Sequence, residues 1–179
     1  KRVNDKIIVR TSCWQVTHEA RKGWVPTEIV FPAGLNRNIL KAPIEAYFVD
    51  SKGQNFKESQ SSNAEASVKK LDEDTVSISV KGRIDGLDIP FTEEYIYDKG
   101  GMKRTVSFDF SAKPMELKVL GVTRIEVDPS LDHAKYKPCL TRFAKAIFPG
   151  APVTQGKNIA PGVIGVYRQD GEGIDFSPT

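Results

Sequence analysis

The sequence has few of the residues from which metal centres and disulfide frameworks are built. It contains two cysteines and two histidines in 179 residues, and no CxxC pair. A closed zinc site takes about four Cys or His ligands, so all four residues (Cys13, His18, His133 and Cys139) would have to converge. We therefore expect no metal and no cofactor, and the two cysteines form either a disulfide or two separate thiols.

Long apolar runs and concentrated charge are also missing. No segment approaches the roughly 20 apolar residues of a membrane helix, so we expect no membrane partner. The net charge is +3, and it is spread along the chain: Lys69 and Lys70 are followed at once by the acidic run at 72–74. A nucleic-acid-binding protein usually has its basic residues concentrated on one face. We therefore expect no nucleic-acid partner.

Catalytic motifs are absent too. The sequence has no GxSxG, HExxH, P-loop or GxGxxG element. The weak candidates are His133 and Tyr136 in the segment DPSLDHAKY, where nearby acidic residues would orient an imidazole as an acid or base. We favour the alternative that His133 is half exposed in a polar loop. These observations weigh against an enzyme for the chain on its own, and they leave the question open.

Paired carboxylates give no better candidate. Glu93 and Glu94 are adjacent in a strand-like segment, and neighbouring strand residues point to opposite faces of a sheet. We therefore expect that they do not act together and that such carboxylates lie on solvated faces.

Strand patterns are abundant. Val76, Ile78 and Val80 alternate with polar residues, as they would in a strand with one buried face. The strands at 91–97 and 102–110 are joined by DKGG and are predicted to form a hairpin. Many short strands separated by Gly-containing turns indicate an all-β, antiparallel β-sandwich.

Two segments depart from this pattern. PCLTRFAKAIFPG carries apolar residues at helical spacing, which predicts one short helix at 138–147. The polar stretch from Ser51 to Ala64 is expected to be a solvent-exposed excursion with no role in chemistry.

The length suits a single domain spanning 1–179. The charged start KRVNDK runs directly into a strand pattern, and the last residues, GEGIDFSPT, are still strand-like. We therefore expect the chain to be the N-terminal module of a longer protein.

Trp24 stands out among the aromatic residues. It follows Arg21, Lys22 and Gly23 at a turn between two strands. A large ring at such a turn is either a plug in the core or a flat platform on which a sugar ring stacks.

The segment 14–40, WQVTHEARKGWVPTEIVFPAGLNRNIL, resembles the opening of the galactose mutarotase-like supersandwich domains of carbohydrate-active proteins. The matching features are a Gly-containing turn between two strands and then the residues Gly34, Asn36, Arg37, Asn38 and Leu40. Epimerases of that group use a His and Glu pair, and no motif places His133 or Glu172 in those roles. The chain is also shorter than a full supersandwich. The resemblance therefore implies a carbohydrate context without transferring catalysis.

The leading hypothesis is a carbohydrate-associated, secreted or periplasmic β-sandwich that binds a glycan or supports a C-terminal catalytic domain. Its predicted ligand-binding residues are Trp24, Asn36, Arg37 and Asn38. Two alternatives stay open: a sugar epimerase or polysaccharide lyase using His133, and a structural or protein-interaction sandwich with no small ligand.

Overall fold

The structure is a computed structural model that describes residues 1–11, 14–32, 36–98, 101–126 and 128, and the backbone of three strands at 133–138, 162–167 and 173–176. The chain divides into two compact units, Lys1–Glu126 and Val127–Thr179. The single domain expected from the sequence stays a prediction.

The described residues of the first unit form eleven strands and two short 3₁₀ turns. The strands are β1 (Arg2–Val3), β2 (Lys6–Arg10), β3 (Gln15–Glu19), β4 (Pro26–Val30), β5 (Glu45–Asp50), β6 (Asn55–Lys57), β7 (Glu65–Lys70), β8 (Val76–Ile84), β9 (Ile89–Tyr97), β10 (Met102–Phe108) and β11 (Leu117–Arg124). The 3₁₀ turns are η1 (Ala20–Lys22), between β3 and β4, and η2 (Glu58–Gln60), after β6.

These strands form three sheets, in the orders β1-β2-β3-β4, β10-β9-β8-β7 and β11-β5-β6. Every pairing described within them is antiparallel. The all-β, antiparallel class predicted from period-2 alternation is confirmed. Within the described residues, no helix is both long and apolar enough to cross a membrane.

The predicted hairpin of β9 and β10 is also confirmed. Met102 pairs with Tyr97 and Phe108 with Phe91, so the two strands run in register over their whole shared length. The register matters for the site described below, because it sets Arg104 opposite Tyr95.

Aromatic contacts show how the sheets face one another. The ring of His18, from the β1–β4 sheet, meets the ring of Tyr95 edge-on at 4.8 Å between centroids. Phe48, from the β5 sheet, meets Phe108 edge-on at 5.4 Å. The β7–β10 sheet therefore packs against residues of both other sheets, as in a sandwich. A backbone hydrogen bond of 2.9 Å from the Ile44 N–H to the Pro26 carbonyl links the approach to β5 with β4.

In the second unit, the described residues form a three-stranded antiparallel sheet in the order β12-β13-β14. Its strands are β12 (His133–Pro138), β13 (Gly162–Tyr167) and β14 (Gly173–Phe176). The polar loop favoured around His133 is wrong, because this segment pairs with β13 along its length. The predicted helix at 138–147 lies outside the described residues apart from Pro138, which ends β12.

The segment from Ser51 to Ala64 is solvent-exposed only in part: residues 51–55 are exposed, as its polarity suggested, and the residues after them are not all so. It contains β6, paired with β5, and then η2. Glu58, Ser59 and Ser61 are buried despite being polar. Polar residues at such positions need partners inside the protein, and those partners define the candidate site.

Candidate functional site: a buried carboxylate and arginine cluster

The alternation of the hairpin carries polar side chains inward. On β9, Phe91, Glu93, Tyr95 and Tyr97 share one face, and all four are buried. Arg104 lies opposite Tyr95 on β10, so it belongs to the same face. The guanidinium lies over the Tyr95 ring, 5.8 Å from its centroid.

Glu58 completes the cluster from η2. Arg104 Nη2 donates to Glu58 Oε1 at 2.7 Å, and the same nitrogen donates to Glu93 Oε1. Both carboxylates are 0% exposed and the Arg104 side chain is 5% exposed. One guanidinium therefore stands between two acids in a site closed to solvent. We call Glu58, Glu93 and Arg104 the Arg104 cluster.

The two carboxylates are satisfied unequally. Glu93 Oε2 accepts a hydrogen bond of 2.8 Å from the Tyr95 hydroxyl, so both of its oxygens have donors. Glu58 Oε1 accepts from the Ala46 backbone N–H as well as from Arg104. Glu58 Oε2 is buried with no hydrogen-bond partner among the described residues. Of the two carboxylates, Glu58 is therefore the one whose hydrogen bonding is incomplete.

Burial sets the protonation of these acids. Burial, together with the nearby charge of Glu93, raises the pKa of Glu58 to about 8. Burial also raises the pKa of Glu93, although Arg104 and the Tyr95 hydroxyl oppose the shift. Burial alone would lower the pKa of Arg104, but Tyr95 and the two carboxylates outweigh it and raise that pKa. Two acids sharing one cation thus favour a single negative charge between them.

A second polar chain runs beside the cluster. His18 Nδ1 lies 2.6 Å from the Trp24 carbonyl oxygen and Nε2 lies 2.5 Å from the Tyr97 hydroxyl. Because a carbonyl only accepts, Nδ1 carries the proton, and the Tyr97 hydroxyl donates to Nε2. Burial lowers the pKa of His18 to about 4, with the Trp24 hydrogen bond opposing the shift and the charge of Arg104 adding to it. His18 is therefore neutral at physiological pH.

Gly23 allows η2 to approach η1. Its φ is +64°, in the left-handed region, and a Cβ there would lie 2.3 Å from the Glu58 carbonyl oxygen. Only glycine combines this backbone angle with so close an approach.

A hydrogen-bond network holds the other side of η2. The Ser59 hydroxyl donates to Glu45 Oε2 and Lys57 Nζ donates to Glu45 Oε1, both at 2.6 Å. The Ser61 hydroxyl donates to the Arg83 carbonyl at 2.9 Å. Each of these contacts ties the η2 segment to a strand.

The chemistry open to the Arg104 cluster follows from its closure. A general acid or base must come within about 3 Å of the group that it serves, and no substrate reaches carboxylates that are fully covered. Within the described residues, no group of three or more His, Cys, Asp or Glu side chains is placed to hold a metal ion. The cluster therefore serves the fold in the conformation described.

Trp24, which was predicted to stack against a sugar ring, is instead buried in the core. It is 3% exposed, its indole N–H donates to the Ala64 carbonyl at 3.1 Å, and the Arg2 guanidinium lies 4.9 Å from its ring centroid. Of the two roles weighed for this ring, the structure places it in the core, where it offers no open face to a sugar.

The other predicted binding residues lie just after β4. Asn36 and Arg37 are exposed. Asn38 is turned to the backbone: its Oδ1 accepts from the Ile29 and Leu40 N–H groups, both at 3.0 Å, and its Nδ2 donates to the Thr27 carbonyl. Asn38 therefore anchors the segment, and Asn36 and Arg37 are the members of this set that face solvent.

The weak catalytic candidates belong to the second unit. His133 pairs with Tyr167 and Tyr136 with Ile164 along β12. Cys13, Cys139 and Glu172 lie outside the described residues. A catalytic role for His133 and Tyr136 stays a prediction.

Sequence reasoning missed Glu58, Arg104 and the burial of Glu93 and His18. The alternation argument separated Glu93 from Glu94 correctly, since Glu93 is buried and Glu94 is exposed. The expectation of a solvated face was wrong for Glu93. The available signal was the shared parity of Phe91, Glu93, Tyr95 and Tyr97 in one strand: a charge among three aromatics predicts an inward acid that needs a cation.

The fold and cluster together define an antiparallel β-sandwich unit with a sealed polar core. Comparison with known proteins adds no family to this description: no protein-family model, no curated protein and no solved structure matches the chain.

Proposed function

We propose that residues 1–126 serve as a non-catalytic β-sandwich module of a carbohydrate-active protein, which binds a glycan or supports a neighbouring catalytic domain. The observation that carries the non-catalytic part is the closure of the Arg104 cluster, whose carboxylates are both 0% exposed. The carbohydrate context is supported by the resemblance of segment 14–40 and by the antiparallel sandwich architecture.

The glycan contact is assigned to Asn36 and Arg37. Both side chains face solvent, and an asparagine amide both donates to and accepts from sugar hydroxyls. The planar guanidinium of an arginine pairs bidentately with a carboxylate, so the acidic sugars of a uronate polymer suit Arg37. The anchoring of Asn38 by three hydrogen bonds holds this short segment against β4.

A polysaccharide array tests the proposal, with polygalacturonate as the uronate polymer and dextran as the neutral one. We expect the wild type to bind polygalacturonate above dextran, and Arg37→Ala to reduce binding at least tenfold. Lys52→Ala is the matched control, because it removes an exposed positive charge at a turn elsewhere. No binding by the wild type across the array, or equal binding by Arg37→Ala, would overturn direct glycan contact.

One observation favours a second candidate function, a protein-interaction sandwich. Val119 and Leu120 on β11 are 42% and 53% exposed, and β11 lies at one edge of its sheet. The two side chains lie on opposite faces of the strand, and an edge strand with exposed apolar residues is a typical template for pairing with another chain. Light scattering over a range of concentrations tests self-association at this edge: this candidate expects a mass increase that Leu120→Ser weakens, and a constant monomer mass would count against it.

A further inference from the structure

The position of η2 against the β9–β10 hairpin depends on the charge of one buried group, the Glu58 carboxyl. Glu58 lies between Arg104, which it shares with Glu93, and the backbone of β5. Its second oxygen has no donor among the described residues. With both acids ionised and Arg104 positive, the sealed cluster carries a net negative charge, and an uncompensated buried charge is strongly unfavourable.

A proton on Glu58 removes that excess charge. The Arg104 cation then pairs with the Glu93 anion, and the neutral Glu58 carboxyl keeps its Oε1 as an acceptor for Arg104 and for the Ala46 N–H. A neutral hydroxyl at Oε2 without a partner costs far less than a charge there.

We propose that the Arg104 cluster is a proton-operated conformational switch: a proton on the Glu58 carboxyl keeps η2 seated against the β9–β10 hairpin, and its loss to solvent releases η2 and the chain up to Ala64. No other group changes its covalent state in this step. The negative charge left on Glu58 moves toward water, and Arg104 stays with Glu93.

The groups around η2 allow this assignment. The charges that face the Glu58 carboxyl are Arg104 of β10 and Glu93 of β9. Further out, the charged residues are already paired: Glu45 of β5 with Lys57 of β6 and Arg124 of β11, and Glu19, before η1, with Lys6 and Arg21. Asp85, after β8, accepts from the Ser62 N–H.

Three other buried groups, His18, Tyr95 and Tyr97, change charge elsewhere on the pH scale. The pKa of His18 is lowered to about 4 by burial. Burial raises the pKa values of Tyr95 and Tyr97 well above their ordinary values. Burial also raises the pKa of Glu93, but both Glu93 oxygens have donors, whereas Glu58 Oε2 has none among the described residues. We therefore assign a transition near pH 8 to Glu58, whose pKa is raised to about 8.

Trp24 reports the release, because its indole N–H donates to the Ala64 carbonyl at the end of the released segment. The chain has two tryptophans, so Trp14→Phe leaves Trp24 as the only one. In that background we expect a red shift of Trp24 emission between pH 7 and pH 9, centred near the pKa of about 8. Glu58→Gln, which keeps the acceptor and removes the ionisation, should abolish the shift. Glu94→Gln changes an exposed residue next to Glu93 and should leave the emission shift unchanged.

A direct measurement complements the variants. Carboxyl carbon NMR of protein labelled at glutamate side chains follows each acid in the wild type, with the Glu58 signal assigned by its loss in Glu58→Gln. The proposal expects that signal to titrate near pH 8, and hydrogen exchange at 58–64 to rise over the same range. A Glu58 signal that titrates below pH 6, or an emission shift that survives Glu58→Gln, would overturn it.

Discussion

Arg104 Nη2 lies 2.7 Å from Glu58 Oε1, joining the second strand of the hairpin to a 3₁₀ turn 46 positions earlier in the chain. The contact connects two segments through charged groups that are shielded from water. The strength of this contact therefore depends on the pairing of Arg104 with both Glu58 and Glu93, and on a backbone that brings η2 close enough to pair.

Arg104→Met leaves Glu58 and Glu93 buried without their cation. Breaking a buried ion pair by removing one partner costs about 3–5 kcal/mol, and we expect a loss of that size in urea denaturation. Arg83→Met is the matched control, since Arg83 forms an exposed pair with Asp88 at 3.0 Å. Surface pairs contribute less than about 1 kcal/mol. Equal losses in the two variants would contradict a structural role for the cluster.

Gly23→Ala should destabilise the protein through both backbone angle and contact. The new Cβ would meet the Glu58 carbonyl oxygen at 2.3 Å while φ is +64°. Gly53→Ala separates the two causes, because Gly53 has a φ of +87° with nothing within 4 Å of the added Cβ. The angle alone costs about 1–2 kcal/mol. Thermal unfolding should show a clearly larger loss for Gly23→Ala, and a similar loss for both would show that η1 and η2 do not press together here.

His18 makes the free energy of unfolding decrease at acidic pH. Burial lowers its pKa in the folded protein to about 4, below the ordinary histidine value of 6.5, so between these values the unfolded chain binds more protons. The contribution is present above pH 6.5 and is lost as pH falls through 4, a change of about 3 kcal/mol. His18→Gln should flatten this part of the curve of unfolding free energy against pH. A variant curve parallel to that of the wild type would contradict the assignment.

Asn38→Ala should destabilise the first unit, whereas Asn36→Ala should not. Asn38 makes three hydrogen bonds to backbone groups, and leaving buried backbone groups unpaired costs about 1–3 kcal/mol. The Asn36 side chain is exposed, and such substitutions usually stay within about 0.5 kcal/mol. Urea midpoints for both variants check this, and the opposite order would show that the anchor has been assigned to the wrong asparagine.

The strands were predictable because alternation is a local signal. Ile78 and Val80 are buried in β8, as period-2 alternation predicts, and the β9–β10 hairpin follows from the Gly-containing turn between its strands. The helical spacing at 138–147 falls outside the described residues apart from Pro138.

The polar core was not predictable in the same way, because it depends on contacts between distant segments. The segment at 51–64 has the composition of a surface loop. Glu58 is nevertheless buried there, because Arg104 and the Ala46 N–H donate hydrogen bonds to its carboxyl group. The tertiary contact overrides the composition. Trp24 shows the same limit: its position at a turn fits both a plug and a platform, and only its contact with Ala64 distinguishes them.

One series of variants should distinguish the residue that binds glycan from the buried cluster that stabilises the fold. That series tests the central claim most directly. Polygalacturonate affinity would be measured by titration calorimetry for the wild type, Arg37→Ala and Glu58→Gln at pH 6.5, where Glu58 is already protonated because its pKa is raised to about 8. We expect Arg37→Ala to lose affinity at least tenfold and Glu58→Gln to bind as the wild type does. Loss of binding in Glu58→Gln with full binding in Arg37→Ala would place the function on the buried cluster and contradict the account.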